Sequence, residues 1–143
     1  MDKCIFCEVI AGRAPGSVVY RDDVCIAFMD IRPINAGHLL IVPIEHAAHL
    51  ADLDERTGGA MFRVAQRLSA AVRRSGLRAE GINLLLADGE TAGQEVLHVH
   101  LHVVPRFAGD GFGHHFPTHY GRQPAKEELD SNADAIKRGS VAA

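Results

Sequence analysis

The stretch Leu97-His98-Val99-His100-Leu101-His102-Val103-Val104 alternates three histidines with apolar residues. A period of two is typical of a β-strand with one buried face, so we expect the three imidazoles to point to one side. Neighbouring imidazoles on that side would be about 7 Å apart. The alternate apolar side chains, Val99, Leu101 and Val103, are expected to enter a core. Because like charges this close disfavour one another, the row should contain neutral imidazoles, which can act as metal ligands, nucleophiles or proton donors.

A glycine-rich connector, residues 87–95, leads directly into the histidine row. Glycine lets backbone N–H groups approach an anion closely, and after Gly93 the amide of Gln94 adds a neutral donor. Donors for phosphate followed at once by histidines indicate chemistry at phosphorus. A polar strand face that repeats by chance is the alternative, and the strict spacing beside a glycine-rich turn disfavours it.

The run from Gly93 to Val104 resembles the signature of the histidine triad (HIT) family of nucleotide hydrolases and transferases, which is His-x-His-x-His followed by two apolar residues. The resemblance extends from about Cys4 to Arg106. It implies an α+β HIT-like fold with a mainly antiparallel sheet, a long helix and a C-terminal helix. Residues 1–125 would form the HIT domain and residues 126–143 a C-terminal helix with a frayed tail. A symmetric homodimer is implied as well, with the long helix around Met61 to Val72 as a candidate interface.

The resemblance assigns catalytic roles to the three histidines. The middle one, His100, would be the nucleophile, His102 would contact the phosphate and assist the leaving group, and His98 would orient or complete the site. A neutral imidazole suits this chemistry because it attacks well and its phosphorylated form is readily hydrolysed, which divides one displacement into two steps. Backbone N–H groups after Gly93, with Gln94, would stabilise charge on the phosphoryl oxygens. No catalytic metal is required.

Residues near the N-terminus are implied to bind the nucleotide. Ile5 and Phe6 fall where an apolar pocket of the family receives the base, expected to be a purine. Asp30 falls at a ribose-contacting position, with Phe28 and Ile31 as its apolar neighbours. Judged from the residues alone, core packing explains Ile5 and Phe6 better, and Asp30 is equally well explained as a loop-initiating residue before a proline.

Cys4 and Cys7 are spaced to hold one metal ion, although a redox pair or two packed thiols fit the spacing equally well. In bacterial, Hint-like members of the family, His46 and His98 would complete a closed tetrahedral site. The resemblance therefore implies a structural zinc that stabilises the fold without an open catalytic position. A metal-free site with reduced thiols is the alternative.

Composition limits the class of protein. A chain of 143 residues is long enough for one domain with a core. Its formal net charge of −3 argues against binding to a nucleic-acid backbone, and the absence of an eighteen-residue apolar run argues against a membrane span. The N-terminus lacks the layout of a signal peptide, so we expect a cytoplasmic protein with reduced cysteines.

Local patterns predict the remaining elements. They are a short helix over 5–11, a hairpin over 17–28, a buried strand over 37–43, a helix N-capped by Asp52 and ended by Gly76, a strand over 82–86, and a helix over 126–137. Pro105-Arg106 should end the histidine strand. The segment from Ala108 to Gly121 is expected to be a mobile loop, and its three histidines receive no role: His114, His115 and His119.

Two positions depart from the family pattern and bear on the substrate. Glu95 stands where many members carry a Ser or Thr that binds phosphate, and Ala87 stands where many carry Asn or Gln. An anionic side chain at position 95 would repel phosphate unless it turned away and left only its backbone in contact.

Three functions remain open from the sequence. The first is a hydrolase that cleaves at the α-phosphate of a purine nucleoside phosphoramidate or a dinucleoside polyphosphate. The second is a nucleotide-binding or scaffold protein with slow or vestigial catalysis, and the third is a three-histidine metalloenzyme. Pro105-Arg106 with Ala108-Gly109-Asp110 resembles the fragile-histidine-triad branch, which cleaves dinucleoside polyphosphates, whereas the Cys4, Cys7 and His46 set resembles the Hint-like branch.

Overall fold

The computed structural model describes residues 3–140. Its helices and strands in chain order are α1 (Ile5–Ile10), β1 (Val18–Arg21), β2 (Cys25–Met29), β3 (Leu39–Pro43), α2 (Glu55–Arg74), β4 (Gly81–Leu85), β5 (Leu101–Arg106) and α3 (Lys126–Ser140). The chain divides into a unit that ends at Phe112 and a unit that begins at Gly113. The second unit contains residues 113–125 as well as the C-terminal helix.

The five strands form one sheet in the order β1-β2-β3-β5-β4, and every neighbouring pair is antiparallel. The expected α+β fold with an antiparallel sheet, a long helix and a C-terminal helix is confirmed. Every residue of the central strand β3 is buried, as its unbroken apolar sequence requires. The predicted hairpin is confirmed by β1 and β2, where the Asp22 carboxylate accepts hydrogen bonds from the backbone N–H groups of Val24 and Cys25.

The two faces of the sheet carry separate cores. The face packed by α2 contains the alternate residues Val99, Leu101 and Val103, so the burial expected for them is confirmed. The opposite face is covered by α1, whose Phe6 and Val9 pack on apolar residues of β2 and β3. This second face also carries His102, which pairs with Leu40 of β3. The thin cover that α1 provides leaves room for a cavity there.

The strand expected over 97–104 is wrong in its limits, because β5 begins at Leu101 and continues through Pro105 to Arg106. Only His102 of the three histidines therefore lies in the regular ladder. A proline is tolerated at position 105 of β5 because the pairing between β3 and β5 ends at Val103. On the β3 side, no backbone acceptor therefore needs an N–H at position 105.

The N-cap of α2 is Asp54, not Asp52. Asp52 instead closes a short 3₁₀ turn, in which its side chain accepts a hydrogen bond from the backbone N–H of His49. The expected apolar stripe is confirmed, with Met61, Val64, Ala65 and Val72 buried against the sheet. Gly76 lies just beyond the last turn at φ +87°, a conformation that glycine adopts without strain.

In the second unit, α3 has no buried residues. Gly139 and Ser140, expected to be frayed, are its last helical residues, while the remaining tail lies outside the described residues. Before the helix, the rings of Phe116 and Tyr120 stack with centroids 3.9 Å apart. Over residues 3–140, none of the helices is both long enough and apolar enough to cross a membrane.

Candidate active site

A cavity of about 650 Å³ lies on the α1 face of the sheet. One wall is α1, which contributes Ile5 and Phe6. The floor consists of β2, β3 and β5. The far side is formed by two loops, the segment Asp30–Arg32 and the connector around Gly93. Two histidines of the row, His100 and His102, line the cavity, whereas the third does not.

His100 is held so that one ring nitrogen remains available. Its Nδ1 lies 2.7 Å from the backbone oxygen of His98. A carbonyl oxygen only accepts hydrogen bonds, so Nδ1 carries the proton and Nε2 carries the lone pair. Among the described residues, no group is hydrogen-bonded to Nε2. Phe6 fixes the ring from the side in an edge-to-face contact with centroids 5.0 Å apart.

His102 is held in the opposite tautomer by His38, which is buried. The backbone N–H of Ile34 donates to Nδ1 of His38 at 3.0 Å, so the proton of His38 is on Nε2. That Nε2 lies 2.9 Å from Nδ1 of His102, which must therefore accept. A neutral His102 then carries its proton on Nε2. The centroids of the His100 and His102 rings are 4.9 Å apart, closer than the spacing expected for a flat strand.

Burial sets the charge of this histidine pair. Desolvation is the main cause that lowers the pKa of His102 to about 4; the nearby His100 and His38 rings contribute to this lowering, and the Asp30 carboxylate opposes it. Desolvation also lowers the pKa of His38, against the attraction of Asp30, whose Oδ2 is 3.5 Å from His38 Nε2. Both imidazoles are therefore neutral at pH 7. His102 thus presents an N–H and His100 a lone pair.

The connector arranges backbone donors beside these histidines. Gly93 has φ +96°, which turns the chain so that the next residues face the cavity. The N–H groups of Glu95 and Val96, both of which line the cavity, have no acceptor among residues 3–140. A pair of adjacent free N–H groups beside a nucleophile is suited to hold anionic oxygens.

Gln94 does not fit the expected role of phosphate donor. Its side chain is buried, and its amide nitrogen donates to the backbone oxygens of Ala48 and Val96 at 2.8 and 3.1 Å. Its amide oxygen accepts from the backbone N–H of Gly89 at 2.8 Å, and its own backbone N–H is bonded to the Gly89 oxygen. Gln94 therefore stabilises the turn through its side chain. The sequence alone could not distinguish this role from direct contact with a phosphate.

The Glu95 carboxylate points away from the backbone donors of the connector. It turns to Arg32 and forms an ion pair of 2.9 Å across the cavity rim. The backbone N–H of Arg32 in turn donates to Oδ1 of Asp30 at 2.8 Å. Arg32 was not among the predicted site residues; the signal for it in the sequence is its place two residues after Asp30.

Residues expected to bind the nucleotide are brought together, with the exception of Gln94. Those that line the cavity are Ile5, Phe6, Phe28, Asp30, Ile31 and Gly93. Phe6 and Phe28 pack edge to face with centroids 5.5 Å apart and form its apolar end. The Asp30 carboxylate is partly exposed at the cavity and keeps lone pairs for further donors.

The third histidine, His98, is turned away from the cavity into a cluster with Cys4, Cys7 and His46. Its Nε2 lies 2.8 Å from the backbone oxygen of Pro43 and so carries the proton, leaving the lone pair on Nδ1. That Nδ1 is 3.3 Å from the Cys4 sulfur, 3.5 Å from the Cys7 sulfur and 3.1 Å from His46 Nδ1. Both ring nitrogens are thus engaged, and neither is available to a substrate.

The cluster fits a tetrahedral zinc ion. Bonds of about 2.0–2.3 Å to nitrogen and sulfur give ligand-to-ligand distances of about 3.3–3.8 Å in a tetrahedron. Four of the six ligand-to-ligand distances in the cluster are 3.1 to 3.5 Å, close to that range, and all six are within 4.8 Å. The His98 bond to Pro43 supplies the outer hydrogen bond that fixes a metal-binding imidazole. Two thiols and two imidazoles whose lone pairs converge on one point form a site suited to structural zinc.

Comparison with known proteins places this geometry in a family. Residues 11–109 match the HIT domain family. The crystal structure of a HIT family protein from Bacillus anthracis superposes with a TM-score of 0.87 at 34% identity, covering 96% of this chain and 97% of that one. A zinc-bound histidine triad family protein from Mycobacterium smegmatis superposes with a TM-score of 0.74 at 38% identity, covering 96% of each chain.

A relative of known activity is adenylylsulfatase HINT3 of Arabidopsis thaliana. It is 36% identical over 105 residues, which is 73% of this chain. The match spans 53% of that protein, about half of its length.

Proposed function

The chain belongs to the HIT family, and we propose that it hydrolyses nucleotides at the α-phosphate through a nucleotidyl-His100 intermediate. The observation that carries this proposal is the tautomer of His100. Its Nδ1 is committed to the His98 backbone oxygen, and its free Nε2 faces a cavity large enough for a nucleotide. The relative named as an adenylylsulfatase supports a hydrolytic activity.

The substrate is proposed to be a purine nucleoside whose α-phosphate carries a leaving group, as in a phosphoramidate or a dinucleoside polyphosphate. The base would lie against Phe6 and Phe28, with Ile5 and Ile31 at the rim, and the ribose hydroxyls would donate to the Asp30 carboxylate. The α-phosphate would then lie beside the free N–H groups after Gly93 and within reach of His100. Each contact uses a group that already lines the cavity.

The reaction is proposed to proceed in two displacements. The His100 Nε2 lone pair forms a bond to phosphorus while the bond from phosphorus to the leaving group breaks. The leaving group accepts a hydrogen bond from the Nε2–H of His102 and takes its proton from water. A second water then attacks the phosphorus of the His100 adduct, the bond from phosphorus to His100 Nε2 breaks, a proton is released to solvent and the nucleoside monophosphate leaves. His38 keeps His102 in the required tautomer throughout.

His98 acts in this scheme by position. Its backbone oxygen orients His100, and its side chain connects α1 to the rest of the site through the cysteine cluster. A bound zinc would be structural: held by Cys4, Cys7, His46 and His98, it would fix α1, the helix that walls the cavity.

A steady-state assay that follows release of nucleoside monophosphate tests the proposal. We expect the protein to convert adenosine phosphoramidate or diadenosine tri- or tetraphosphate to AMP, with EDTA in the assay leaving the initial rate unchanged. Turnover that requires an added metal would favour the metalloenzyme. Micromolar AMP binding without turnover of any of these compounds would contradict the hydrolase and favour the nucleotide-binding alternative.

We also propose that the protein is a homodimer. The exposed side chain of Phe62, which is 55% accessible on α2, supports this helix as part of the interface. A monomer mass by light scattering at micromolar concentration would contradict it.

A further inference from the structure

The rim of the cavity carries one ion pair between its two loops. Arg32, in the turn after Asp30, and Glu95, in the connector after Gly93, both line the cavity. Their side chains meet at 2.9 Å while remaining 80% and 75% exposed. The pair is therefore solvent-exposed at the mouth of the cavity. The Asp30 carboxylate lies on the Arg32 side of the pair, and the backbone N–H donors of the connector lie on the Glu95 side.

The formal charges of the cavity are unusual for a site that binds phosphate. Among the residues that line it, Arg32 is the one lysine or arginine, while Asp30 and Glu95 are both anionic. The pKa of both His38 and His102 is lowered by burial, so these imidazoles add no positive charge at pH 7. Neutral N–H donors are left to hold the phosphate, which suits one negative charge.

A leaving group that carries further negative charges meets a different environment. Sites that transfer polyphosphate commonly supply arginines, lysines or a metal ion to balance each added charge. Here the single guanidinium is already paired with Glu95, whose formal charge balances its own. A nucleoside diphosphate or triphosphate leaving group would bring two or more anionic phosphates to a mouth whose net charge is not positive.

We infer that Arg32 and Glu95 are the specificity-determining pair of this site, which selects substrates by the charge of the leaving group. Nucleoside phosphoramidates, whose amine leaves without negative charge, are favoured, and dinucleoside polyphosphates are disfavoured. This inference rests on the proposed hydrolase function and names its substrate class. Glu95 supplies the repulsion, and Arg32 limits it by forming the pair.

The test compares kcat/KM for adenosine phosphoramidate and diadenosine triphosphate in the wild type and in three variants. Glu95→Gln should lower the preference for the phosphoramidate on the order of tenfold at low ionic strength, because a negative charge near the leaving phosphates is removed. Arg32→Gln should raise the preference, because Glu95 is left unpaired. Glu90→Gln is the control, since Glu90 is an exposed acid of the same connector that does not line the cavity. Raising the salt concentration should shrink both shifts.

Equal preference in the wild type and both cavity variants would overturn the inference, as would a Glu90→Gln shift as large as that of Glu95→Gln. If the wild type hydrolysed neither compound, the proposed function would fail. The dissociation constants of the two compounds for His100→Ala protein would then decide the inference separately. If Glu95→Gln shifts the ratio of the two affinities in favour of diadenosine triphosphate, the inference is supported. If the ratio does not change, the inference is contradicted.

Discussion

His98 and His100 are two residues apart in one repeat, yet they belong to different sites. The ring of His98 is fully buried, with one nitrogen on a backbone oxygen and the other among two sulfurs and an imidazole. The ring of His100 also gives one nitrogen to a backbone oxygen, but its second nitrogen opens on the cavity. The same residue type, held at one nitrogen by a backbone oxygen in both cases, is thus proposed as a metal ligand in one place and as a nucleophile in the other.

In the proposed roles, the two histidines differ in what surrounds the second ring nitrogen. A backbone carbonyl binds Nε2 in His98 and Nδ1 in His100. The lone pair of His98 is therefore on Nδ1, at the cysteine cluster, and that of His100 is on Nε2, at the cavity. The cluster end is therefore expected to control stability, and the cavity end is expected to control turnover.

The largest expected effect is on turnover at the cavity end. His100→Ala should lower kcat on the order of 10⁴-fold or more, because loss of a covalent nucleophile removes the pathway and not a single contact. The unfolding temperature and the affinity for AMP should stay close to those of the wild type. A His100→Ala variant that keeps turnover within tenfold of the wild type would contradict the assignment of His100 as the nucleophile.

The next effect is on metal binding and stability at the cluster end. Cys7→Ser should lower the zinc affinity, because it removes a direct ligand. The loss should exceed the roughly 10- to 100-fold that follows when a residue hydrogen-bonded to a ligand is removed. The unfolding temperature should fall as well. Cys25→Ala is the matched control, since Cys25 is a buried core thiol outside the cluster. Elemental analysis should find about one zinc per chain in the wild type and in the control. Protein that lacks zinc in every preparation would contradict the assignment.

A smaller effect on rate is expected where His38 holds His102. His102→Ala should lower kcat by roughly 10²- to 10⁴-fold, the range for loss of a donor to the leaving group. His38→Ala should lower it less, because His102 keeps its N–H but loses the bond that fixes its tautomer. Pre-steady-state kinetics that show a greater loss for His38→Ala than for His102→Ala would contradict this order.

The smallest effect expected is a pH dependence of stability. The folded-state pKa of His102, about 4, and that of His38 lie below the ordinary value of 6.5, so the unfolded chain binds protons first as pH falls. The stability that these neutral imidazoles contribute is present above pH 6.5 and is lost as pH falls from 6.5 towards 4. Denaturant titrations over that range should show a shallower slope for His102→Gln than for the wild type, and equal slopes would contradict the neutral pair.

Much of this arrangement follows from the sequence, because it depends on local pattern. The alternation of residues 97–104 predicted the buried side of Val99. The resemblance to the HIT family predicted the cluster of Cys4, Cys7, His46 and His98, whereas the spacing of the two cysteines alone left other roles open. Tertiary partners were beyond the sequence. Alternation could not reveal that His98 and His100 precede the regular strand, nor that the Gln94 amide is consumed by Ala48, forty-six residues away. The Arg32–Glu95 pair joins residues sixty-three apart, so its formation depended on the fold.

The measurement that tests the central claim most directly is the identification of the modified residue in the reaction intermediate. Wild-type protein would be mixed with an adenosine phosphoramidate, quenched within milliseconds under alkaline conditions that preserve phosphorylated histidine, and analysed by peptide mass spectrometry. The account predicts an adenylyl group on His100, and no adduct in His100→Ala protein treated in the same way. An adenylyl group on His98 or His102 in the wild type would contradict it.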